Sequence, residues 1–134
     1  MKRNLIYFLL IAVVVAAFSC KKEVPISDSL IGTWELSVDY GGWSGVHIHK
    51  PGNDTLAVFT STTYAFYAKG TLTRSGNYTT KKDTVYMYGT LGNRIIYDDQ
   101  NSNDIHEFFT IQNNKLNFFI DAWDAGGTTY RRIK

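Results

Sequence analysis

The chain has 134 residues, 14 Lys and Arg against 12 Asp and Glu, 44% hydrophobic and 15% aromatic residues, and one Cys. Lys2 and Arg3 precede a leader-like run, so the chain past residue 19 is formally neutral and lacks the broad basic footprint that nucleic acid requires. A lone Cys excludes an internal disulfide, and residues 20–134 amount to one domain.

The first element in chain order is a targeting signal. Lys2 and Arg3 are followed by an uncharged apolar run over residues 5–17. That run suits the core of a secretory signal and is short of the ~20 apolar residues needed to span a bilayer. Ala16, Ala17 and Ser19 then precede Cys20. This resembles the lipobox of bacterial lipoproteins, with Ala17 standing where that motif usually has Leu. The resemblance implies cleavage of a signal peptide at residues 1–19 and lipidation of Cys20. Residues 20–29, opening with Lys21, Lys22 and Glu23, are then the lipidated Cys and a flexible tether. The protein is expected in the cell envelope of a Gram-negative-type bacterium, held on the outer membrane by its lipid, on the periplasmic or surface side.

Beyond residue 30 the pattern is that of short strands. Trp34, Leu36, Val38 and Tyr40 alternate with Thr33, Glu35, Ser37 and Asp39, the period of a half-buried strand. Gly41, Gly42, Ser44 and Gly45 form a loop around Trp43, and residues 46–49 are a short second segment. Residues 56–59 and 64–68 are apolar runs, and Lys69-Gly70 is a turn. Lys81-Lys82-Asp83 reads as a hairpin turn between residues 76–80 and 84–88, with another turn at Gly89, Gly92 and Asn93. Residues 94–97 are extended, 98–104 a polar loop, and Asn113-Asn114 joins two strands over 105–111 and 116–120. The last strand covers 128–133. Turns about every ten residues imply an all-β fold of roughly eight to ten strands in up-and-down antiparallel order, a small sandwich or closed β-barrel.

Gly32-Thr33-Trp34 at the start of the first strand is similar to the Gly-x-Trp signature of lipocalins and the wider calycin group. Phe66, Lys69-Gly70-Thr71, Ser75-Gly76-Asn77-Tyr78 and Asp83-Thr84-Val85 resemble small lipocalin-like domains of exported lipoproteins. The resemblance covers residues 30–134. It implies a barrel whose Trp34 plugs one end beneath an Arg of the last strand, for which Arg132 is the choice. It also implies binding of a small apolar ligand, although an eight-stranded barrel can instead be filled by side chains.

Trp43 and Trp123 are candidate ligand or glycan contacts, each weighed against packing on the domain's own core. Tyr40, Tyr64 and Tyr86 complete the candidate ligand-binding set. His47 and His49 share a strand face and could take a metal with Asp39 or His106, but two ligands are too few, and the better reading is two exposed histidines. Asp98, Asp99, Asn101, Asn103 and Asp104 form an oxygen-rich loop that departs from a Ca²⁺ loop where Gly and Glu are required. No catalytic arrangement is placed, and neither enzymatic activity nor a cofactor is expected. Two functions are carried forward: a lipid-anchored barrel binding a small hydrophobic molecule or glycan, and a surface interaction or inhibitor module with a solid core.

Overall fold

A computed structural model describes residues 28–41, 43–100 and 106–134. The leader, Cys20 and the tether up to residue 27 lie outside the described residues, as do Asn101, Asn103 and Asp104. The described chain is all-β: β1 (Gly32–Gly41), β2 (Gly45–Ile48), β3 (Leu56–Phe59), β4 (Thr63–Ala68), β5 (Thr71–Val85), β6 (Thr90–Tyr97), β7 (Glu107–Gln112), β8 (Lys115–Ile120) and β9 (Gly127–Arg132). Each strand pairs antiparallel with its neighbour, and β9 returns to β1, so β1 and β3–β9 close an eight-stranded barrel. This architecture is compatible with a lipocalin-like fold.

The ninth strand, β2, sits on the same edge of β1 as β3. Gly32 to Glu35 pair with β3, whereas Val38 to Gly41 pair with β2, so the β1–β2 hairpin continues past the barrel rim. The stagger is equally plain in β5, whose first half pairs with β4 and whose second half pairs with β6. These registers give the barrel two unlike ends. The closed end carries Gly32, the 60–62 turn, the Asn113-Asn114 turn and Lys134. The mouth carries the tips of β1 and β2, the Lys69-Gly70 turn, residues 98–100 after β6, His106 before β7, and the 121–126 connection.

Local chemistry explains most of the turns. Asn113 and Asn114 take φ of 51° and 58°, the left-handed pair that a two-residue hairpin needs and that Asn tolerates. The hairpin expected at Lys81-Lys82-Asp83 is not there: β5 runs straight through, and the turn falls at 86–89. The charges remain in the strand because Asp83 accepts from Lys81 and Arg94, both at 2.9 Å. The turn closes where the N–H of Gly89 donates to the Val85 carbonyl at 2.9 Å. The apolar face expected along β1 is also split. A β-bulge between Leu36 and Val38 shifts the phase, so Trp34 and Leu36 are buried while Tyr40 is exposed.

The core is largely aromatic. Phe59, Tyr78, Phe118 and Tyr130 interlock edge-on or tilted around Trp34, Leu36, Ile95, Phe109 and Leu116. A second apolar cluster lies on the outer surface. The pairings put Phe108 and Phe119 opposite in phase to the inward Phe109 and Phe118, and their rings stack at 5.7 Å. The tip of the β5–β6 hairpin leans across them, with the Tyr86 and Met87 N–H groups donating to Asp121 at 2.7 and 3.1 Å. Phe108 and Val85 are thereby buried outside the barrel.

Candidate functional site

The closed end is sealed by Trp34. Its indole is fully buried and donates from Nε1 to the Leu30 carbonyl at 2.8 Å. The Arg132 guanidinium lies 4.0 Å above the ring and donates to the carbonyls of Ile31, at 2.8 Å, and Ser29. One side chain thus ties the last strand to the segment that enters the barrel. A cleft of about 330 Å³ lies beside this seal, lined by Asp28, Leu30, Tyr78, Thr80, Asn93 and Phe109.

Toward the mouth the interior turns polar. Tyr64 on β4 and Tyr97 at the end of β6 pack at 4.6 Å, with Phe66 5.6 and 6.0 Å away. Arg74, opposite Phe66 on β5, lies 4.3 Å over Tyr97 and 5.2 Å over Tyr64. Asp99 holds it in a two-pronged ion pair, with Nε–Oδ2 at 2.7 Å, which pushes the arginine further up from its usual range. Both tyrosines are almost wholly buried, and neither hydroxyl closes a full hydrogen bond among the described residues, Tyr64 lying toward Asp99 and Tyr97 toward Glu107. Burial pushes both phenols up, most strongly Tyr97. Glu107, opposite Ile95, faces the same interior. Burial raises its carboxyl pKa, opposed by the Arg74 charge and the Tyr97 hydroxyl.

Beside Glu107 a mouth-side cleft of about 230 Å³ is lined by Asp39, Tyr40, Phe118, Ile120 and Thr128. Four polar groups therefore converge next to an apolar groove. A buried hydroxyl without a partner costs about 1–3 kcal/mol, so a guest that accepts from Tyr64 and Tyr97 relieves that cost when it binds.

The candidate residues named from sequence do not form one group. Tyr64 belongs to this polar cluster and Tyr40 to the rim of the cleft. Trp43, at the β1–β2 turn, is 102% exposed, and Trp123, in the β8–β9 turn, is 83% exposed. Neither packs on the core as a lid. Tyr86 lies at the leaning hairpin tip, 6.3 Å from the His106 ring. His47 Nδ1 and His49 Nε2 lie 2.9 and 2.6 Å from the two oxygens of Asp39, whose pKa they lower, His49 more than His47. Among the described residues, no group of three or more His, Cys, Asp or Glu is set to hold a metal ion. Asp98 is taken up by Asn77, whose backbone N–H donates at 2.8 Å, and Asp99 by Arg74.

Arg74, Tyr97 and Glu107 were not singled out from the sequence. Glu107 carried a readable signal: it shares the inward phase of Phe109 and Ile111, the apolar positions of its face of the strand.

These features define a small closed antiparallel barrel, sealed by Trp34 and Arg132 at one end and polar within at the other. No protein-family model, no curated protein and no solved structure matches the chain.

Proposed function

We propose that this chain is an envelope lipoprotein, anchored to the outer membrane through lipidated Cys20, whose barrel binds a small molecule at its mouth. The role is one of binding rather than catalysis. A polar group of the guest meets Tyr64, Tyr97, Arg74 and Glu107, and its apolar part lies along Phe118, Ile120 and Tyr40. The observation that carries this reading is the pair of buried phenols, neither closing a full hydrogen bond, facing a guanidinium and a carboxyl beside an apolar cleft. The groove is smaller than the ~300 Å³ at which drug-sized pockets begin. The packed rings below leave the guest a shallow seat, which favours a short amphiphile or a terminal sugar over a long lipid.

The test is a titration with anilinonaphthalene sulfonate and a panel of short amphiphiles and monosaccharides. Saturable binding should weaken in Tyr97→Phe and Glu107→Gln and persist in Trp43→Ala. Binding indifferent to Tyr97 and Glu107 would refute this site. For the anchor, Cys20→Ser should release the protein from the membrane fraction washed at high salt.

Exposed Trp43 and Trp123 favour a second reading, a protein-interaction or inhibitor module that uses its loops. In that case Trp43→Ala and Trp123→Ala abolish partner binding while Tyr97→Phe does not.

A further inference from the structure

The two ends of the barrel differ in charge as well as in shape. The closed rim carries Lys82 on β5, Lys115 at the head of β8, and Lys134 just past β9, all exposed. Arg132 stands at the same end over Trp34. Of the acids near this rim, Asp83 is matched by Lys81 and Arg94, and Glu35 by Arg131 at 2.9 Å. Asp28 is the remaining described acid there, in the side cleft.

The mouth is the reverse. Asp39, Asp54, Asp98, Asp121 and Asp124 cluster around it, with Asp99 already matched by Arg74, with His47 and His49 on Asp39, and with Lys69 an exposed base in the turn there, so acids outnumber bases at this end. The formal neutrality of the mature chain therefore conceals a separation of charge along the barrel axis. The N-terminal segment enters at the basic end, since Leu30 and Ser29 are bonded beneath Trp34 and Arg132.

We propose that the closed basic rim is a membrane-contact face, taking as its partner the anionic headgroups of the leaflet that holds the lipid anchor. The proposal rests on the lipoprotein reading for its biological setting, although its physics does not need the lipid. Residues 20–28, fully extended, reach at most ~30 Å, so the anchored domain stays near the surface. Within that reach, charge decides which end turns down. Basic residues near an anionic surface are attracted within a Debye length, by an amount worth about fivefold in affinity per residue. Acids at the mouth are repelled by the same surface. The domain then stands on its closed end, with the mouth, Trp43 and Trp123 turned away from the leaflet and open to solutes.

The experiment uses the lipid-free Cys20→Ser mature chain and sedimentation with vesicles. One set is phosphatidylcholine alone, and the other contains phosphatidylglycerol. At low salt the chain should bind the anionic vesicles, leave the neutral ones, and dissociate as salt rises. Combined Lys82→Gln, Lys115→Gln and Lys134→Gln, checked for an unchanged melting temperature, should weaken binding about a hundredfold. The Lys→Glu set at the same positions, which replaces each attraction with a repulsion, should weaken it further. Lys50→Glu with Lys69→Glu, away from the closed rim, should change it little.

Equal binding to both vesicle types, no binding at low salt, or equal loss from either set of lysines overturns the proposal. With the lipidated protein on vesicles, brominated lipid should leave Trp43 emission unquenched, and strong quenching would overturn the orientation. Failure of the anchor reading is a separate result: wild-type protein would be absent from the membrane fraction after a high-salt wash, whatever the vesicles show.

Discussion

Arg132→Met should loosen the closed end by a predictable amount. The guanidinium stacks on Trp34 at 4.0 Å and donates to the Ile31 and Ser29 carbonyls. A cation over an indole contributes ~0.5–2 kcal/mol. Hydrogen bonds from a charged donor contribute ~1.5–3 kcal/mol each, discounted here because Arg132 is only part-buried. Met keeps part of the apolar stem, so the expected loss is about 2–3 kcal/mol. For a domain of this size that lowers the melting temperature by about 10 °C. Urea melts of Arg132→Met, Trp34→Phe and the double variant form a cycle that isolates the pair. The coupling should be ~0.5–2 kcal/mol. The N–H of Thr33, which donates to the Lys134 carbonyl, should lose exchange protection first. Additive losses in the cycle, or an Arg132→Met effect within ~0.5 kcal/mol of zero, would refute the idea that this stack closes the barrel.

Other perturbations have defined outcomes. Glu35→Ala leaves Arg131 facing a buried site and strips the Gly52 and Asn53 N–H groups of their acceptor, so a loss of about 3 kcal/mol is expected in chemical denaturation. The raised pKa of Glu107 means that the folded state holds this proton more tightly, so its contribution to stability falls as pH rises above the ordinary glutamate range. Glu107→Gln should therefore flatten that decline in melts run from acidic to neutral pH, and an unchanged slope would contradict the burial. Gly92→Ala would place a Cβ 2.7 Å from Val85 Cγ2 and 2.8 Å from Phe108 Cδ1, costing about 1–3 kcal/mol by overpacking. Trp43→Ala should leave the melting temperature within about 2 °C of wild type, because the indole is fully exposed.

Strand positions were legible wherever one rule acted alone. β3 spans Leu56–Phe59 as its apolar run predicts, and the Asn113-Asn114 turn follows from tolerance of positive φ. Two failures have specific causes. Lys81-Lys82-Asp83 has turn composition, but Arg94 on the partner strand β6 pairs with Asp83 and holds the segment extended. Along β1, alternation is a sound guide up to Leu36 and misleads after it, because a single bulged residue reverses the face and no residue type announces it.

The polar cluster was illegible for a related reason. Tyr64, Arg74, Tyr97 and Glu107 come from four strands, and the stagger that brings them together is a property of the closed barrel rather than of any segment. That stagger also explains why the cluster stays polar. Below it, aromatic rings from opposite walls meet and exclude water. At its level Arg74 takes the place of another ring, and its charge is held by Asp99 at the more open edge. Filling this layer with one more aromatic would have completed a solid core. A guanidinium, a desolvated carboxyl and two hydroxyls short of full hydrogen bonds reduce stability there, which is the pattern expected of a site kept for a guest.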